Sequence, residues 1–155
     1  GFISENPNST GAPDPYWIIN ENNLIVSEDK IYEEKDQVKK VPISDVSEAG
    51  RHKAWIIENE KRITKDAKIY TILITNSNGI DDDARIYADD IYYVNRKEYV
   101  DWAVEALTVV RSVWSTFSGE GESEWRESVH KEFIKAGITP KDYLDFVCSK
   151  KLKDA

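Results

Sequence analysis

The order of the elements predicts an α/β fold, a small mixed β-sheet flanked by helices on both faces. Three observations carry that expectation. A strand–turn–strand pattern near the start predicts a hairpin, and the nearly unbroken apolar run from Lys68 to Thr75 predicts a strand buried on both sides. Stretches of helical periodicity follow each of them. With 155 residues, 40% of them hydrophobic, the chain is expected to form one domain over residues 1–155.

Residues 1–15 are rich in Ser, Asn, Pro and Gly and read as a loop. Tyr16 to Asn20 reads as a short strand, Glu21-Asn22-Asn23 as a polar turn, and Leu24 to Tyr32 as the second strand of the hairpin. After a polar stretch from Glu33 to Lys40, Ser44 is placed to cap a helix over about 45–60. Val46, Ala49, Trp55 or Ala54, and Ile57 are among its apolar positions, and Gly50 weakens its middle. Beyond the strand at 68–75, a loop with Asn78-Gly79 and Asp81-Asp82-Asp83 leads to a further strand, whole or in two pieces, within 84–94. Asn95 and Glu98 form an approximate capping box for a long helix. Its apolar positions 99, 102, 103, 106, 109, 110, 113, 114 and 117 cover more than one face, which predicts deep packing. Two shorter helices close the chain, about 123–136, stopped by Gly137, and 140–152, opened by Thr139-Pro140 with Asp142.

Composition limits the function. Twenty-one basic against 29 acidic residues give a net charge of −8, which argues against gripping nucleic acid or an anionic membrane by bulk charge. One Cys excludes a disulfide framework and a four-Cys zinc site and suits a reducing compartment, so a cytoplasmic location is expected. No apolar run approaches the roughly 18 residues of a membrane span. The chain contains no Met and opens on Gly1-Phe2-Ile3, so it is expected to be a fragment or a processed chain.

Few constellations could carry chemistry. His52 and His130 are the only histidines, and Cys148 reads as a core residue beside Leu144 and Val147 rather than a nucleophile. The seven Gly are scattered and form no phosphate loop, and Asp81–Asp83 reads as a solvated acidic loop. An acidic residue two before a Lys occurs three times, at Glu28, Glu33 and Asp66, about the number composition alone gives. Hairpin geometry separates them. Partners across a turn at 21–22 have numbers that total roughly 42–43, so Asp14 comes opposite Glu28 or Asp29, and Lys30 shares a face with Glu28. Two carboxylates plus the Asp29 backbone carbonyl can hold Mg²⁺ with water positions left open. A neighbouring ammonium can then orient an attacking water at a phosphodiester. The same spacing also admits a plainer reading, with Asp14 in a turn and Glu28 paired to Lys30 or to a neighbouring strand.

Asp14, Glu28 and Lys30, in this order and context, resemble the PD-(D/E)xK nuclease signature. The wider sequence is most similar to the cleavage domain of type IIS restriction endonucleases such as FokI. Gly1-Phe2 and Pro13-Asp14 resemble that domain's approach to its first catalytic Asp, and Leu24-Ile25-Val26 before Glu28 resembles its second strand. Pro42-Ile43-Ser44 with Ile56-Ile57-Glu58-Asn59, and Ile134 to Thr139, resemble later segments. The resemblance implies a restriction-endonuclease-like mixed β-sheet flanked by helices, with Asp14 and Glu28 as metal ligands and Lys30 as the catalytic lysine. It also implies Mg²⁺ (or Mn²⁺) as cofactor, double-stranded DNA as substrate, and a homodimer when cutting. Sequence recognition would belong to a separate domain or subunit, and the resemblance implies helices upstream of residue 1, so the chain is expected to be a fragment lacking its N-terminal helices. The chain has Glu28 where that family usually has Asp.

Charge is unevenly spread. Residues 1–29 hold no base and five acids, whereas 30–65 hold nine bases and seven acids. Lys39, Lys40, Arg51 and Lys53 in that stretch are candidate DNA contacts, with an ordinary solvated loop and helix face as the alternative. Arg51 and His52 can face the substrate, but no spacing demands it. Three functions are thus expected: a tethered DNA endonuclease, a non-catalytic nuclease-like dimerisation domain, or a repair or junction nuclease on the same fold.

Overall fold

The computed structural model describes residues 3–9, 11–32, 40–117 and 123–155. By backbone contacts they fall into two compact units, one of 1–96 with 147–155 and one of 97–146.

The first unit is a mixed five-stranded sheet in the order β1 (Ile3–Glu5), β2 (Tyr16–Asn20), β3 (Asn23–Lys30), β4 (Lys68–Thr75), β5 (Ile91–Asn95). β1, β2 and β3 are antiparallel neighbours, and β3, β4 and β5 run parallel. The hairpin forms in the expected register, with Tyr16 opposite Val26 and Ile18 opposite Leu24, then shifts by one at Asn20 opposite Asn23. Asn20 makes the turn, its Oδ1 accepting from the Asn22 N–H at 2.9 Å. Residues 3–5, read as loop, instead add an exposed edge strand to β2. β3 ends at Lys30 rather than Tyr32, because the Asn76 side chain takes both backbone groups of Tyr32, at 2.9 and 2.8 Å.

Parallel β3 and β4 are joined by a crossover helix, α1 (Ile43–Asn59). It starts two residues earlier than expected, with Pro42 as N-cap, and the Ser44 hydroxyl bonds Asp45 at 3.0 Å instead of capping. Its buried positions are Val46, Ala49, His52 and Ile56, whereas Ile57 is 64% exposed. This face covers Leu24, Val26 and Leu73, which share one side of the sheet. On the other side Ile25, Ile72, Ile74 and Val94 are buried too. The expected strand at 84–94 is half 3₁₀ helix, Asp82–Tyr87, and half β5. The bonds of Ala84 N–H to Asp81 O and Ala88 N–H to Arg85 O hold that turn.

The second unit holds α2 (Arg96–Trp114, whose first residue belongs to the sheet unit), α3 (Ser123–Ala136) and most of α4 (Pro140–Val147). Gly137 ends α3 at φ +65°, and the Thr139 and Asp142 capping exchange opens α4. α4 stops at Val147, five residues short of expectation. Cys148 is half-buried rather than in the core. The deep packing expected of α2 is not found, since none of its residues is buried. Trp102 stacks on Phe146 with ring centres 5.7 Å apart, while Val100, Val104, Leu107 and Trp114 are exposed.

Candidate active site

The alternation of β3 turns Leu24, Val26, Glu28 and Lys30 to the α1 face. The first two enter the apolar core, and the next two meet polar residues on α1. Glu28 and His52 are each 2% exposed, with His52 Nε2 at 2.5 Å from Glu28 Oε2. The tautomer with hydrogen on Nε2 makes the imidazole the donor. Lys30 Nζ lies 2.5 Å from Glu28 Oε1 and 2.8 Å from Glu48 Oε2. Each Glu28 oxygen therefore has one cationic or imidazole partner, and Lys30 has two carboxylates.

Asp14 reaches this strand by a local irregularity that its sequence explains. In regular pairing residue 15 would exchange both ladder bonds with Ser27, but Pro15 has no N–H to give. Ser27 N–H still donates to Pro15 O at 3.1 Å, and the Asp14 N–H takes over the missing bond to Ser27 O, also at 3.1 Å. Two residues thus oppose one, as in a β-bulge, so Asp14 comes opposite Ser27 rather than opposite Glu28 or Asp29 as expected. The Ser27 hydroxyl fixes the distortion by donating to the carbonyls of Asp14 and Pro15 at 2.9 and 3.1 Å. Because Ser27 turns its backbone groups toward β2, Asp29 two residues on turns its own carbonyl to the same side, where Asp14 leaves the ladder.

Charges across the site are coupled. Burial alone would raise the Glu28 pKa, yet the hydrogen bonds of His52 and Lys30 and their charges outweigh it and hold the carboxyl below its ordinary value. Burial likewise works against the Lys30 ammonium, but Glu28 and Glu48 more than offset it and raise its pKa. Asp29 is raised by burial, pulled back by Arg96, and raised again by the charges of Asp14 and Glu28. Arg96 Nε sits 3.9 Å from Asp29 Oδ1. Lys30, Thr75 and Asn95 align across β3, β4 and β5, so all these groups gather at the carboxyl ends of the parallel strands. Open α/β sheets present their ligand sites at that edge.

The expected DNA contacts scatter. Lys39 lies outside the described residues, and Arg51 is exposed next to inward-facing His52. Lys40 lines a hollow of about 340 Å³ with Asp81, Asp82 and Asp83, which surround it with negative charge. Lys53 borders a groove of about 740 Å³ with Lys61, Lys65 and Ile57. The sequence did not single out Glu48, and it offered His52 only with Arg51 as a residue that can face the substrate, not as the partner of Glu28. The signal was present: 46, 49, 52 and 56 make one helical stripe, and His52 is its only polar member. Among the described residues no three His, Cys, Asp or Glu side chains converge as a metal-binding group. Comparison with protein-family models, curated proteins and solved structures finds no match for this chain.

Proposed function

We propose that this chain is a metal-dependent DNA endonuclease module of the PD-(D/E)xK type, with Asp14, Glu28 and Lys30 as its working residues. One observation carries the reading. A bulge delivers Asp14 beside the Glu28–x–Lys30 strand at the carboxyl edge of the sheet, where the Asp29 carbonyl also points. This donor set of hard oxygens suits Mg²⁺ or Mn²⁺. Among the described residues Glu28 Oε1 is held by Lys30, which has Glu48 as a second acceptor, and this supports release of that oxygen to an ion. Asp14, Glu28 and the Asp29 carbonyl would hold the ion, which lowers the pKa of a bound water and offsets charge on the phosphate. Lys30 orients the attacking water and stabilises the negative charge that grows as the P–O bond breaks. With a net charge of −8, the module needs a basic recognition domain or subunit to deliver it to DNA, and paired strand cuts call for a homodimer.

The test is nicking of supercoiled plasmid with Mg²⁺ or Mn²⁺, with the chain fused to a DNA-binding domain. Lys30→Ala and Asp14→Ala should each lower the rate at least about 100-fold. Undiminished cleavage in either variant sinks the reading. Preference for branched over linear duplex would favour a repair or junction nuclease on the same scaffold. The stripe Val100, Val104, Leu107 and Trp114, the last 67% exposed, favours a second reading as a non-catalytic pairing module. That reading requires concentration-dependent association in the ultracentrifuge and no heat of metal binding.

A further inference from the structure

α1 meets β3 in a way that the PD-(D/E)xK reading does not require. As a crossover between parallel strands it runs opposite to β3, so its sequence advances while the strand's retreats. Glu48 and His52 are one turn apart, about 6 Å along the helix axis. Glu28 and Lys30 are two strand residues apart, about 6.6 Å. The two spacings nearly coincide, and each helix residue meets one strand residue: Glu48 meets Lys30 at 2.8 Å and His52 meets Glu28 at 2.5 Å. His52 is fully enclosed, and its Nδ1 is buried with no hydrogen-bond partner among the described residues. Burying an imidazole in this way is costly unless the bond on its other nitrogen does something. Its site on the helix would otherwise suit an apolar residue, since Val46, Ala49 and Ile56 fill the rest of the stripe.

Resting on the nuclease reading above, we infer that Glu48 and His52 are positioning residues that divide the work of preparing Glu28 for a metal ion. His52 pins Oε2 and so fixes the orientation of the carboxylate. Glu48 gives the Lys30 ammonium somewhere to go, so that Oε1 is released to the ion while the lysine stays beside the reacting phosphate. Neither residue touches the substrate. The pair converts a closed Glu28–Lys30 ion pair into an exchangeable one. Outer groups of this kind set metal affinity as well as geometry.

The experiment is calorimetric titration of the whole chain with Mn²⁺ alone, which separates metal binding from cleavage. His52→Leu should weaken Mn²⁺ binding about 10- to 100-fold, and His52→Gln, which retains a donor, should return it to within about threefold of wild type. Glu48→Ala should weaken binding about tenfold, because Lys30 then stays on Glu28 and competes. In a Lys30→Ala background the same Glu48 change should have no effect, a coupling that a purely structural Glu48 would not produce. Unchanged affinity in folded His52→Leu, or an equal Glu48 effect with and without Lys30, overturns the inference and leaves the nuclease reading standing. Absence of any Mn²⁺ binding by wild type overturns both. Nitrogen NMR of the His52 ring in wild type covers the case of a variant that does not fold. The Nε2–H should stay bonded and slow to exchange at saturating Mg²⁺, and its loss on metal addition refutes the role of His52.

Discussion

Two buried glutamates face the same helix, Glu28 from β3 against His52 in its middle and Glu60 just past its end, and they are held in opposite styles. Glu60, just past the end of α1 and 8% exposed, accepts four hydrogen bonds. Three come from Arg62, from its backbone N–H, Nε and Nη2 at 2.7, 2.9 and 2.6 Å, and the fourth from the Tyr16 hydroxyl at 2.7 Å. Arg62 continues to Glu5 at 2.9 Å, so the cluster ties the edge strand to the helix end. Every site on that carboxylate is filled by a partner two residues away or locked in β2. Glu28 has one partner per oxygen, and one of those partners is shared with a second carboxylate. A saturated carboxylate is a structural tie. A half-saturated one whose cation has an alternative is suited to exchange.

The sharpest way to break that contrast is to neutralise each glutamate in turn. Glu28→Gln should weaken Mn²⁺ binding by at least about 100-fold, while Glu60→Gln should leave it unchanged. Calorimetry reads both, and an equal effect would erase the distinction. Stability should show the reverse. Glu60→Ala leaves Arg62 and the Tyr16 hydroxyl without their acceptor and should cost about 2 kcal/mol in chemical denaturation, a figure reduced because Arg62 is half-exposed.

The pH dependence of folding sharpens the same point at both ends of the scale. Arg62 first, against burial, takes the Glu60 carboxyl from 4.5 down to about 2, so its contribution is complete above pH 4.5 and disappears as pH falls towards 2. Burial and the bond to Glu60 push the Tyr16 hydroxyl from 10.0 up to about 12, so that contribution holds below pH 10 and is lost as pH rises through 12. Thermal melts across both windows should show steps that flatten in Glu60→Gln. The smallest expected effect tests whether helix stability and metal binding are independent. Gly50 is exposed on α1 between Glu48 and His52, with nothing within 4 Å of where a Cβ would be. Gly50→Ala should add about 0.5–1 kcal/mol of stability and leave Mn²⁺ affinity alone.

Much of the site's strand side was legible beforehand. The polar turn at 21–22 set the hairpin register, and register with period-two alternation set which residues share a face with Glu28. The bulge at Asp14 was equally local, since Pro15 lacks an N–H, though its consequence appeared only with Ser27 opposite. The helix side was harder. Ile57 and Ile56 are neighbours in sequence, and periodicity with a Gly at position 50 did not decide which one turns inward. The long apolar pattern of α2 misled outright, because apolar residues on several faces imply burial only where neighbouring elements exist to cover them.

Local chemistry therefore determined the β2–β3 hairpin and its turn, β4, the end of α3, the start of α4, and the shared face of Glu28 and Lys30. Each of these depends on residues within a few positions or on a single hairpin. The tertiary structure alone decided that α1 runs back along β3 and sets Glu48 and His52 against Lys30 and Glu28. It likewise decided that Glu60 and Arg62 close on Tyr16, some 44 residues earlier in the chain. Those meetings depend on how a crossover helix is rotated and shifted over a sheet. That choice is made by packing the whole core at once, and no short-range pattern encodes it.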